Sequence, residues 1–164
     1  MDYLWSPWRY QYISQVTSGV QPECIFCDAL ARNNDEETLI VYRGKKMFVI
    51  LNRYPYTTGH SMIVPYAHMA QLKLCEADAL QEMMLLAQKV EEAFQLNYKP
   101  DGMNMGMNLG RAAGAGVIGH LHMHMLPRWM GDTNFMTVTA ETRVHPEELS
   151  ITYQKMSQAL AVRS

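Results

Sequence analysis

Apolar positions recur with a period near two in several short runs and with a helical period in two longer ones. Thr38–Arg43 and Met47–Asn52 read as strands joined by Gly44-Lys45-Lys46 as a hairpin turn. Arg53–Gly59 reads as a loop, and Ser61–Val64 as a third strand closed by Pro65. Over Glu76–Phe94, the residues Ala77, Leu80, Met83, Met84, Ala87, Val90 and Phe94 fall on one helical face. Met103–Leu109 and Leu121–Leu126 read as two further strands, and a last helix over Glu147–Leu160 follows Pro146. A short helix fits Cys24–Arg32, ended by Asn33-Asn34-Asp35. Meandering strands with two main helices predict an α+β domain.

The chain has 164 residues and carries no internal repeat or linker, which predicts one domain. Residues 1–21 form an aromatic arm (Tyr3, Trp5, Trp8, Tyr10, Tyr12), and 22–164 form the domain with its C-terminal helical extension. A net charge of -2, spread along the chain, gives no electrostatic case for nucleic acid or an acidic membrane as partner. No apolar run approaches the roughly 20 residues of a membrane helix. The N-terminus lacks the basic start and apolar core of a signal peptide. Three cysteines, Cys24, Cys27 and Cys75, are an odd count with one tight pair, unlike a disulfide framework. The cytoplasm is the expected location.

The chemistry concentrates in His120-Leu121-His122-Met123-His124-Met125-Leu126-Pro127-Arg128-Trp129. Strict alternation puts three imidazoles on one face of a strand and the apolar residues on the other. Three readings apply: incidental polar residues on a half-exposed strand, a three-histidine metal site, or a catalytic row beside a phosphate. Alternate strand residues stand roughly 6.6 Å apart, so one metal ion cannot collect all three rings, and geometry favours the catalytic row. The preceding Gly110-Arg111-Ala112-Ala113-Gly114-Ala115-Gly116 offers backbone N–H groups to anionic oxygens with few side chains in the way. Read alone, it is equally a flexible connection. Cys24-x-x-Cys27 is a buried pair, a redox motif or half of a zinc site, according to whether two further ligands exist.

The order of these motifs resembles the histidine triad family, over about residues 22–129. The resemblance rests on Cys24-Ile25-Phe26-Cys27, Asn52 at a strand end, Gly59-His60-Ser61-Met62-Ile63-Val64-Pro65 with His68, Asn108, and the triad. It implies an antiparallel sheet with helices, a homodimer, and a purine nucleotide or dinucleoside polyphosphate as ligand. It implies His122 as nucleophile, His124 on the phosphate or leaving oxygen, and His120 in support. Phe48, Ile50 and Leu51 fall where the family holds the base, and Asn52 where it holds the ribose. Asn108 and the Gly114, Ala115, Gly116 and Val117 backbone fall where it holds phosphate. Family members with the cysteine pair bind zinc through residues matching Cys24, Cys27, His68 and His120. By the same resemblance His60 orients the catalytic strand; Cys75 reads as a small core residue and His145 as surface.

Val117 stands where many family hydrolases carry a hydroxyl. The Leu4-Trp5-Ser6-Pro7-Trp8-Arg9 start, the long glycine loop and Pro127-Arg128-Trp129 resemble the diadenosine tetraphosphate phosphorylase branch. Water and inorganic phosphate both remain as acceptors, with Arg111 and Arg128 as cations that would favour phosphate. The rival expectations are an adenosine phosphoramidate or mononucleotide hydrolase, and a nucleotide-binding signalling module with incidental turnover.

Overall fold

The computed structural model describes residues 24–132 and 146–161. The aromatic arm of 1–21 and His145 lie outside the described residues. The elements are α1 (Ile25–Arg32), α2 (Asp35–Thr38), β1 (Ile40–Arg43), β2 (Met47–Leu51), β3 (Ser61–Pro65), α3 (Ala77–Tyr98), β4 (Gly102–Gly106), β5 (Met123–Arg128) and α4 (Leu149–Ala161). Five antiparallel strands form one sheet in the order β1-β2-β3-β5-β4. The α+β expectation holds, with α3 and α4 as the two main helices. No helix among the described residues is long and apolar enough to cross a membrane.

Register sorts the residues of the sheet. Ile40, Ile50, Met62, His124 and Gly106 form one row across all five strands and share a face. Leu51, Ser61, Met125 and Met105 form a row on the other face. Helix α3 crosses β2, β3 and β5, while α4 packs on α3 and β1. The β1–β2 turn is tied to α3 because the Glu82 carboxylate accepts from Lys45 N–H at 2.6 Å and Lys46 N–H at 2.9 Å. A side chain on Gly44 would collide with that carboxylate.

Several element boundaries depart from expectation, and β1 begins only at Ile40 because Thr38 ends α2. Helix α3 runs on to Tyr98, stopped by Lys99 in a left-handed conformation (φ 45°) and then by Pro100. It buries Ala79, Met83, Leu86, Ala87, Val90, Ala93 and Phe94, and leaves Met84 48% exposed. The stripe has rotated away from Met84 because α3 serves both the sheet and α4. Strand β5 begins at Met123, two residues late, because the backbone before it is spent elsewhere. Leu121 N–H donates to the Met69 carbonyl, and the His120 carbonyl accepts from the His122 ring. Its partner β4 therefore stops at Gly106, which leaves Asn108 in the loop. Helix α2 was not expected from the sequence. Its signal is Asn34 three residues before Glu37, whose N–H the Asn34 side chain accepts.

Candidate active site and metal cluster

Two corners meet at the segment leading into β5. The first gathers sulfur and nitrogen. Cys24 caps α1 and Cys27 lies in its first turn, while His68 comes from the loop after β3. The buried His120 ring donates Nε2–H to the Pro65 carbonyl at 2.9 Å, which turns its Nδ1 lone pair inward. That Nδ1 stands 3.2 Å from Cys24 Sγ and 3.7 Å from Cys27 Sγ, and His68 Nδ1 lies 3.4 Å from Cys27 Sγ. All four donor atoms fall within 4.8 Å of one another. Tetrahedral zinc with two sulfurs and two imidazoles has ligand–ligand edges of about 3.3–3.8 Å. The cluster fits. Burial, then the hydrogen bond and charge of Cys24, push the Cys27 thiol up.

The second corner is all nitrogen. His60 Nδ1 accepts from Tyr56 N–H at 3.1 Å and faces Asn52 Nδ2 at 3.3 Å. Asn52 Oδ1 is taken by Tyr54 N–H, which leaves the amide nitrogen for His60. An amide N–H only donates, so neutral His60 carries its proton on Nε2 and donates to His124 Nδ1 at 2.9 Å. Neutral His124 in turn carries its proton on its own Nε2. Burial, reinforced by the charges of His124 and His122, pushes His60 down to about 3. Burial and the His122 charge push His124 down to about 4. Both rings are neutral at pH 7.

His122 lies between the corners. Its Nδ1–H donates to the His120 carbonyl at 2.8 Å. Its Nε2 keeps the lone pair and meets no hydrogen-bond partner among the described residues. Burial lowers its pKa and the carbonyl bond opposes the shift, so the ring stays neutral near pH 7. Its centroid is 4.9 Å from that of His124, nearer than the strand spacing suggests. Phe26, 1% exposed, packs at 5.2 Å from His122 and 5.3 Å from His120. Sequence reading passed over Phe26, although an aromatic residue between two ligand cysteines is a usable signal.

Several expected binding residues are placed differently. Phe48 and Ile50 share the face of His124, but Leu51 points to the opposite face by strand alternation, so the three do not line one pocket. Asn52 is engaged by the 54–60 loop, as above. In the glycine loop, Arg111–Ala113 forms a 3-10 turn. Gly114 N–H and Ala115 N–H are used within it, on the Arg111 and Gly110 carbonyls. Among the described residues the Gly116 and Val117 amides are not so engaged. Arg128 is not an open cation: it pairs with Asp132 at 2.5 and 2.9 Å and donates to Asn104 Oδ1 at 2.7 Å. Cys75 is half-buried against the core, as expected.

Comparison with known proteins agrees with this geometry. The HIT domain model matches residues 33–130. The chain is 37% identical over 152 residues to an AP-4-A phosphorylase of Mycobacterium tuberculosis (strain ATCC 25618 / H37Rv), covering 89% of this chain and 77% of that protein. Its fold is similar to a Zn-bound histidine triad family protein from Mycobacterium smegmatis, with TM-score 0.69, 26% identity, and 85% and 94% of the two chains covered. A hypothetical histidine triad nucleotide-binding protein from Sulfolobus tokodaii strain7 gives TM-score 0.69 at 28% identity, covering 85% and 93%. The family match covers more than half of the sequence and includes His60, His120, His122 and His124; the chain belongs to the HIT (histidine triad) domain family.

Proposed function

We propose that the protein is a nucleotidyl-transfer enzyme that cleaves dinucleoside polyphosphates of the diadenosine tetraphosphate type. The observation that carries this is His122, with Nδ1–H held on a carbonyl and Nε2 unengaged beside the His124 Nε2–H donor. His122 Nε2 attacks the α-phosphorus, and the bond to the leaving polyphosphate oxygen breaks with its electron pair on that oxygen. His124 Nε2–H donates a hydrogen bond to the oxygen as charge develops. An acceptor then attacks the nucleotidyl-histidine, and the P–N bond pair returns to Nε2. Inorganic phosphate is the favoured acceptor, supported by the relative described as an AP-4-A phosphorylase. Arg128 gives this reading no support, because Asp132 neutralises it. Incubation with diadenosine tetraphosphate and rising phosphate will give ADP plus ATP at a phosphate-dependent rate. His122→Ala will be at least about 1,000-fold slower. AMP as the product at every phosphate concentration would reject the acceptor, and an active His122→Ala would reject the mechanism.

Zinc is the proposed occupant of Cys24, Cys27, His68 and His120, and a closed set of four protein ligands is that of a structural ion. Those residues hold α1, the loop after β3 and His120 together. A homodimer is also proposed. Strand β4 is a sheet edge, exposed at every position except the half-buried Met103, and a second copy would cover it. Sedimentation at micromolar concentration should give twice the chain mass, and a monomer would count against it.

A further inference from the structure

The His60–His124 pair is held from a side that the proposed mechanism leaves unexplained. Tyr56 lies in the loop between β2 and β3, and its backbone N–H is the donor on His60 Nδ1. Its ring also packs on both imidazoles. The centroid distance to His60 is 4.7 Å at an interplanar angle of 39°, and that to His124 is 6.1 Å at 29°, close to parallel. His124 also meets His122 at 4.9 Å and 77°. His124 is therefore in contact with the rings of both His122 and Tyr56. Its Nδ1 is tied to His60, so rotation about the ring normal is already stopped. Tilt out of the ring plane is what remains, and a nearly parallel neighbour ring restricts that motion.

We propose that Tyr56 is a positioning residue. Its ring holds the His124 plane so that Nε2–H points at the departing oxygen while His122 attacks from the other side. The proposal rests on the assignment of His122 and His124 above. It needs no proton transfer, only a hydrogen bond whose aim matters most when the leaving oxygen accumulates most charge. The effect of losing Tyr56 must therefore grow as the leaving group becomes poorer. A side chain that only fills space would instead lower activity evenly, or lower stability alone.

The test is a series of aryl esters of AMP, from nitrophenyl to phenyl leaving groups, with AMP inhibition measured alongside. For Tyr56→Ala, kcat/KM should stay within about threefold of wild type on the nitrophenyl ester and fall about tenfold or more on the phenyl ester. The inhibition constant of AMP should be unchanged. Tyr56→Phe keeps the ring and the backbone N–H, so its ratio of kcat/KM between the nitrophenyl and phenyl esters should match wild type. Tyr56→Leu, which keeps bulk without a flat ring, repeats the test if Tyr56→Ala does not fold. An even loss across all esters, a loss in Tyr56→Phe equal to that in Tyr56→Ala, or a change confined to AMP binding would each overturn the proposal. His122→Ala is the separate control: activity there would reject the nucleophile and leave the positioning question apart from it.

Discussion

The sulfur–nitrogen corner and the all-nitrogen corner flank the same residue, His122, yet they are finished in different ways. In the second, every donor meets an acceptor, from Tyr56 N–H through His60 to His124, and only the last N–H faces the site. It is complete as protein. In the first, two sulfurs and two ring nitrogens converge, and His68 is exposed. Such a donor set suits a cation. The comparison teaches that the two corners play different parts. A metal would draw together three distant segments, whereas the imidazole chain fixes a protonation state. His120 joins the parts, because its ring belongs to the cluster and its carbonyl orients His122.

Removing the metal should give the largest effect. Protein purified without added zinc should contain about one zinc per chain. Chelation should cost about 5 kcal/mol, or about 10–20 °C in Tm for a domain of this size, because ligand binding and folding are coupled. A metal-free protein with both Cys24 and Cys27 freely titratable in the folded state would break the comparison at this corner. Metal analysis and calorimetry with and without chelator decide it.

Acid should act on the other corner, with a smaller effect. Burial first, then neighbouring imidazole charge, holds His60 at about 3 and His124 at about 4, well below the ordinary 6.5. As pH falls below 6.5 the unfolded chain takes up protons that these folded rings refuse. Stability present at neutral pH is then lost progressively, and the loss levels off once the folded-state values are passed. Each group contributes a slope of about 1.4 kcal/mol per pH unit, and the pair on the order of 3 kcal/mol by pH 5. Urea midpoints at pH 7 and pH 5 measure the drop, and His60→Ala should flatten it. An unchanged slope in that variant would mean that the loss arises elsewhere.

Much of this protein is local and so was determined by its sequence. The helical stripe of α3, the alternation around β5, and the pairing of Cys24-x-x-Cys27 with His-x-His-x-His follow from side-chain order over a few residues. Those patterns lead to an α+β fold and to His122 between two histidines, while the resemblance to the histidine triad family joined His68 and His120 to the cysteine pair. Tertiary structure decided what depends on partners far along the chain. Which nitrogen of His124 carries its proton is set by His60, 64 positions away, and His120 meets Cys24 across 96. Arg128 reaches Asn104, 24 positions back on β4, so the cation expected beside phosphate is engaged across the sheet. Leu51 faces away from Phe48 and Ile50 because sheet register fixes its face. Periodicity reports which side of an element is apolar. A hydrogen-bond partner is chosen only when separate elements pack, and that choice gives three histidines in a row three environments: His120 beside the cysteines, His122 held on a carbonyl, and His124 bound to His60.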